Sequence, residues 1–435
     1  LEQLNRKDTL FIGLMLFALF FGAGNLIFPP FLGQEAGTNY WIAILGFVIT
    51  GVGLPVLGVI AIAINGSSIE TITKRVSIRF AIIFTFILYL AIGPFFGIPR
   101  AMNVSFEMGA MPFLSDHVYD AALFIYSILF FIVVYWLSLN PSKMVKRIGN
   151  IITPILLAAI ILLVAGSALS GFVTGGQAPG EGYSTNPLTS GILEGYLTMD
   201  AIAALAFGLV IVSSIKEHGI NNKQSILKTA SIAGIIAGIG LVVVYTAIGW
   251  LGVQSAPQQT FENGSQILSY AANQTFGITG TLILGIIVTL ACLTTCVGLV
   301  TACGQYFHGV FPKVRYHILT LIITIISLAA ANLGLNTIIS ISIPVLVAIY
   351  PIAIVLILLS LIEYKASLSK AYFRGAVIGT ALISVYDGLR ELGIELSLLN
   401  HLYSFLPLFE LGLGWIWPAA AGIIISRFIR KARVN

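Results

Sequence analysis

The sequence predicts an all-α polytopic membrane protein with twelve spanning helices, on three observations. Of its 435 residues, 58% are apolar and only 9% are charged. Soluble proteins carry about 25% charged residues, so a water-exposed surface cannot be built from this composition. The apolar residues gather in runs long enough to cross a bilayer, which takes about 20 residues per helix. The 22 basic residues also segregate across those runs as they do in an oriented membrane protein. The net charge of +5 is therefore accounted for by orientation, and a nucleic-acid partner is not needed. Three cysteines exclude a disulfide scaffold. Forty-four glycines suit helices that pack closely in lipid.

The runs fall at 9–34, 42–64, 80–99, 118–139, 148–173, 192–215, 225–252, 277–303, 316–333, 337–361, 372–389 and 411–430. The first is too long for a cleavable signal peptide and is read as a span. Twelve crossings put both termini on one side. With the N-terminus inside, the inner segments hold Arg6, Lys7, Lys74, Arg75, Arg79, Lys143, Lys146, Arg147, Lys216, Lys223, Lys228, Lys313, Arg315, Lys365, Lys370, Arg374, Arg427, Arg430, Lys431 and Arg433. Only Arg100 and Arg390 fall outside, so 20 of 22 basic residues obey the positive-inside rule. Glu2, Asp8, Glu70, Glu217 and Glu363 are read as inside, and eleven acidic residues, Asp116 among them, as at the outer face. Asp200 alone sits at depth, and Arg100 is expected to pair with Glu107 at the outer mouth.

The first run contains Gly22-Ala23-Gly24-Asn25 followed by Phe28-Pro29-Pro30. Glycine raises the entropic cost of helical backbone, and each proline clashes with the carbonyl four residues earlier. Unwinding is expected over residues 22–25. Free backbone groups at membrane depth must then line a cavity or be buried in protein. In the sixth run Asp200 would cost about 2.5–3.5 kcal/mol on a lone helix. That cost falls if it caps a half-helix starting at Ala201, or faces water or an ion. At 1.5 Å per residue Gly22 lies about 20 Å and Asp200 about 18 Å from the inner face, so the two breaks meet in mid-membrane. They are five runs apart, and an odd repeat must be inverted. Helices 1–5 (residues 1–173) and 6–10 (192–361) are read as inverted repeats with broken helices 1 and 6, followed by helices 11 and 12 (372–435). Paired breaks in inverted halves point to the site of a secondary transporter.

The remaining elements add less. Residues 264–276 are read as a short amphipathic helix over the outer face. Cys292, Cys296 and Cys303 share one helix as small packing residues. The five histidines lie near loops, which speaks against a buried proton relay. One deep carboxylate, no nucleophile elbow and no nucleotide-binding glycine loop argue against an enzyme.

The break motif, together with Gly93-Pro94-Phe95-Phe96-Gly97-Ile98-Pro99-Arg100 and Val104-Ser105-Phe106-Glu107, resembles the bacterial branched-chain amino acid:cation symporters over essentially the whole chain. The resemblance implies uptake of leucine, isoleucine and valine across the cytoplasmic (inner) membrane, usually driven by sodium, with both termini cytoplasmic. More distantly, the break resembles that of the neurotransmitter:sodium symporters and their five-plus-five inverted repeat. That likeness implies a sodium site formed by the carbonyls of Ala18 and Phe21 with Ala291, Thr294 and Thr295. The last three share one helical face. The two threonines could equally bond back to carbonyls one turn earlier. Between Asn25 and Pro29 the chain is one residue shorter than that distant fold, and Asp200 has no counterpart there.

The sequence thus leads to a sodium-coupled symporter. Gly22, Ala23, Gly24, Asn25 and Asp200 would hold the α-carboxylate and ammonium of the amino acid, with Phe95, Phe96, Met199 and Phe207 as apolar walls. Proton coupling, and an ion channel, are the alternatives.

Overall fold

The computed structural model describes residues 5–66, 69–139, 143–169 and 177–434. The orientation reading also used Glu2, which lies outside the described residues. The side chains of Asp116, Lys143, Lys146, Arg147, Arg430, Lys431 and Arg433 lie outside them too, as does the 170–176 part of the predicted first repeat and outer loop.

Among the described residues the regular structure is entirely helical. Six of the described helical stretches are long and apolar enough to cross a membrane, or seven if the bent pair Pro187–Tyr196 and Asp200–Glu217 is one span. The first broken run consists of helices Arg6–Phe20 and Ala23–Ala36. The helix Gly264–Val310 bends at Gly277 (φ 64°), which sets residues 264–276 apart as a short helix of their own.

Three expectations need correction. Unwinding at the first break is confined to Phe21 and Gly22, because Ala23, Gly24 and Asn25 already belong to the second helix, which also runs through Pro29 and Pro30. Tertiary contact holds that helix past its prolines. A Cβ on Gly252 would lie 1.9 Å from the Pro30 carbonyl oxygen, and one on Gly33 would lie 1.9 Å from that of Gly249. The two backbones therefore touch, as small residues permit in membrane helix pairs.

In the sixth run the half-helix begins at Asp200 itself rather than at Ala201. Met199 occupies the left-handed region (φ 64°, ψ 6°), a conformation that costs roughly 1–2 kcal/mol for an L-residue. The two half-helices diverge by 44°.

The third helical segment does not end at residue 99. It runs Ile78–Leu90, turns through a wide π-helical bend at Ala91–Phe95 that contains Pro94, and continues as Gly97–Gly109. Arg100 lies nine residues short of Gly109, about 14 Å below the helix end. It is 2% exposed. Its expected partner Glu107 instead accepts a hydrogen bond from the Ser265 hydroxyl.

Candidate functional site

The first break is built from local backbone geometry. Phe21 (φ −73°, ψ 77°) forms an inverse γ-turn in which the Gly22 N–H donates to the Phe20 carbonyl at 2.7 Å. The Gly22 N–H therefore does not reach Ala18. The Asn25 N–H donates to Gly22 at 3.2 Å rather than to Phe21. The carbonyls of Ala18 and Phe21 are thus left without their helical partners, which is what a broken helix offers to a cation.

The second break arrives against the first. A Cβ on Gly24 would stand 3.2 Å from the Thr198 carbonyl oxygen, so a bare glycine lets the two irregular segments touch. Asn25 spans the junction. Its Nδ2 donates to Asp200 Oδ2 at 2.9 Å and also to the Phe20 carbonyl. The Tyr245 hydroxyl donates to the same carboxylate oxygen at 3.3 Å. Asn25 Oδ1 is buried and has no hydrogen-bond partner. The Thr198 hydroxyl accepts from the Asp200 N–H at 3.3 Å, and the Ala201 N–H donates to the Tyr350 hydroxyl at 3.0 Å. Tyr350 is in turn stacked on Tyr196, with ring centroids 4.6 Å apart.

A cavity of about 50 Å³ lies at this junction. That is room for one or two waters at about 30 Å³ each, against roughly 300–1,000 Å³ for a small-molecule site. The cavity as it stands is smaller than an amino-acid site. Of the predicted substrate residues, Gly22, Ala23, Gly24, Asn25, Met199, Asp200 and Phe207 line this cavity together. Phe95 is 45% exposed, and Phe96, although buried, does not line it. From the predicted ion set only Thr295 lines it. Ala18, Phe21, Ala291 and Thr294 do not. Both threonine hydroxyls donate to the Ala291 carbonyl, Thr294 at 2.8 Å and Thr295 at 3.1 Å, the local back-bonding available to threonine in a helix.

Arg100 also lines the cavity, and sequence reasoning missed it. Its Nη1 donates to the Leu197 carbonyl at 2.7 Å, and its guanidinium carbon sits 5.2 Å from the centre of the Phe28 ring. Phe28 and Leu197 face a second cavity of about 230 Å³ that is also lined by Glu194, Glu262 and Asn336. The signal that could have found Arg100 is its breach of the positive-inside rule. Tyr245 and Tyr350 gave none, since each reaches the site from a distant apolar run.

The pattern of a family described as "Branched-chain amino acid transport protein" matches residues 5–433. The chain is 45% identical over 437 residues to the branched-chain amino acid permease BrnQ of Bacillus subtilis, covering 100% of this chain and 99% of that one. It is 42% identical over 427 residues to the branched-chain amino acid transport system 2 carrier protein of Pseudomonas aeruginosa, covering 98% and 97%. The inward-facing structure of Mhp1 superposes with a TM-score of 0.65 over 99% of this chain and 95% of that one. At 14% identity that likeness shows a common fold and no more.

Proposed function

The chain belongs to the branched-chain amino acid transport protein family, a family of transporters and not of enzymes, and on that footing we propose that it imports leucine, isoleucine and valine by sodium symport. The observation that carries this reading is the hydrogen bond from Asn25 to Asp200, which joins two broken helices at one cavity. Half-helix starts offer N–H groups to a carboxylate, and half-helix ends offer carbonyls to an ammonium or a cation.

The apolar part of the lining, including Leu19, Phe20, Ile92, Ala203, Phe207 and Leu299, suits a branched aliphatic side chain. The lining carries one positive and one negative side chain, Arg100 and Asp200. A zwitterion matches that balance. A lysine or glutamate side chain would be buried uncompensated, at a cost of several kcal/mol. Sodium would sit behind the first break, on the freed carbonyls of Ala18 and Phe21 with Ala291, Thr294 and Thr295, since a hard cation favours oxygen ligands.

In this reading the chain crosses the cytoplasmic membrane twelve times with both termini inside. Residues 1–173 and 192–361 form inverted five-helix repeats that rock about the breaks, and helices 11 and 12 lie within 372–435. Proton coupling is a second reading, favoured by the buried carboxylate of Asp200 and by the two threonine hydroxyls turned to Ala291.

Uptake of radiolabelled leucine into proteoliposomes, with sodium and pH gradients imposed separately, decides between them. Sodium alone should drive accumulation. Isoleucine and valine should compete within roughly two orders of magnitude, because a methylene is worth only about 1–3 kcal/mol, and lysine should not compete. Accumulation driven only by pH would replace sodium by protons. Flux without saturation or exchange would mean a channel.

A further inference from the structure

Arg100 and Asp200 are the two charged residues lining the central cavity, 2% and 5% exposed, yet they do not bond to each other. Arg100 hydrogen-bonds the Leu197 carbonyl, and Asp200 receives Asn25 and Tyr245. A buried ion pair is favourable only when its partners meet with good geometry and full hydrogen bonding. Two opposite charges held apart across a space leave part of that attraction unused.

The hydrogen-bonding capacity around the cavity is also divided. A guanidinium has five donors, and among the described residues the one side-chain hydrogen bond of Arg100 is that to Leu197. On the other side are acceptors. Both bonds to Asp200 use Oδ2, which leaves Oδ1. Asn25 Oδ1 is a buried acceptor with no partner. Its amide orientation is fixed, because Nδ2 faces two acceptors, the Phe20 carbonyl and Asp200 Oδ2. The start of the sixth half-helix is already engaged, since the Ala201 N–H is taken by Tyr350. A carboxylate would meet repulsion beside Asp200, and Arg100 is the cationic side chain that lines the cavity with it, alongside the N–H groups that the helix starting at Ala23 presents there.

Resting on the amino-acid reading above, we infer that Arg100 and Asp200 form a two-ended clamp for a zwitterion. Arg100 takes the α-carboxylate, and Asp200 with Asn25 Oδ1 takes the α-ammonium. The clamp fixes the orientation of the substrate: its carboxylate lies under Phe28 and Leu197, and its side chain lies among Phe20, Ala203 and Phe207. It adds a side-chain ligand to recognition by helix ends, and a charged-group bond of this kind is strong because it is buried and charge-assisted.

Competition binding on the purified full chain tests it, using leucine, leucinamide, which lacks the carboxylate, and 4-methylpentanoate, which lacks the ammonium. The wild-type protein should prefer leucine over either analogue by at least about tenfold. In Arg100→Gln the affinity for leucine should fall at least about tenfold while that for leucinamide changes less than about threefold, so the preference for a carboxylate disappears. Asp200→Asn should do the same for leucine against 4-methylpentanoate. An equal fall for leucine and leucinamide in Arg100→Gln would overturn the clamp and leave Arg100 as a support for Leu197. If that variant is lost from the membrane, Arg100→Lys and the wild-type arms carry the test, and equal competition by leucine and either analogue in wild type overturns the clamp. A wild-type protein that binds none of leucine, isoleucine and valine would instead overturn the function on which the clamp rests.

Discussion

The two breaks face one cavity but are made in different ways. The first opens without strain. Phe21 takes an inverse γ-turn and Gly22 is extended (φ −109°, ψ −166°), conformations open to ordinary residues. The second is strained, with Met199 held at φ 64°. The first frees carbonyls at the end of a half-helix, whereas the second presents a carboxylate at the start of one. An irregular backbone at membrane depth thus serves either to expose main-chain oxygens or to aim a charged side chain. Strain is concentrated where the charge is aimed, as is common at functional sites.

Substitutions that separate the breaks sharpen this contrast. The largest effect is expected where they touch. Gly24→Val should lower stability by about 2 kcal/mol, because the Thr198 backbone cannot give way to the added atoms. Gly22→Ala should stay within about 1 kcal/mol of wild type, since its Cβ meets Thr295 at an ordinary 3.5 Å. Thermal unfolding in detergent measures both, and equal losses would deny that the two positions differ.

Next comes the ion side. Replacing Thr294 and Thr295 together by alanine should raise the sodium concentration for half-maximal uptake by at least about tenfold, or 1.4 kcal/mol. An unchanged sodium dependence in a folded double variant would remove the threonines from the ion site.

The smallest effect is relief of strain at the second break. Met199 is buried, so the strain is read by comparing two variants that both lose its side chain: Met199→Gly should be about 1 kcal/mol more stable than Met199→Ala, because only glycine escapes the left-handed penalty. A Met199→Gly melting temperature no higher than that of Met199→Ala would show that the left-handed conformation carries no such cost.

Much of this was legible in the sequence, for identifiable reasons. Gly22, Gly24, Asn25 and the proline pair announced the first break, since each disfavours regular helix. Local propensity overstated its length, because backbone contact with Gly249 and Gly252 keeps Pro29 and Pro30 helical. Asp200 announced the second break through its charge, but the left-handed turn falls on Met199, a residue with no turn signal. Arg100 was placed at the surface because the apolar run ends at residue 99, although the helix continues to Gly109. In a bundle the end of an apolar run marks where lipid-facing pattern stops, and a helix buried among other helices can go on beyond it. Tyr245 and Tyr350 were illegible because only the tertiary fold brings their hydroxyls to Asp200 and Ala201.

The central claim is that the two breaks act as one binding site through Asn25 and Asp200. A double-mutant cycle on leucine affinity tests it most directly, using wild type, Asn25→Ala, Asp200→Asn and the double variant. Residues in contact show coupling of about 0.5–3 kcal/mol, whereas independent sites add within about 0.5 kcal/mol. Each single variant should weaken binding, and the double variant should be weaker by at least about 1 kcal/mol less than the sum of the two. Losses that simply add would contradict the account and show two breaks that share a cavity without sharing a substrate.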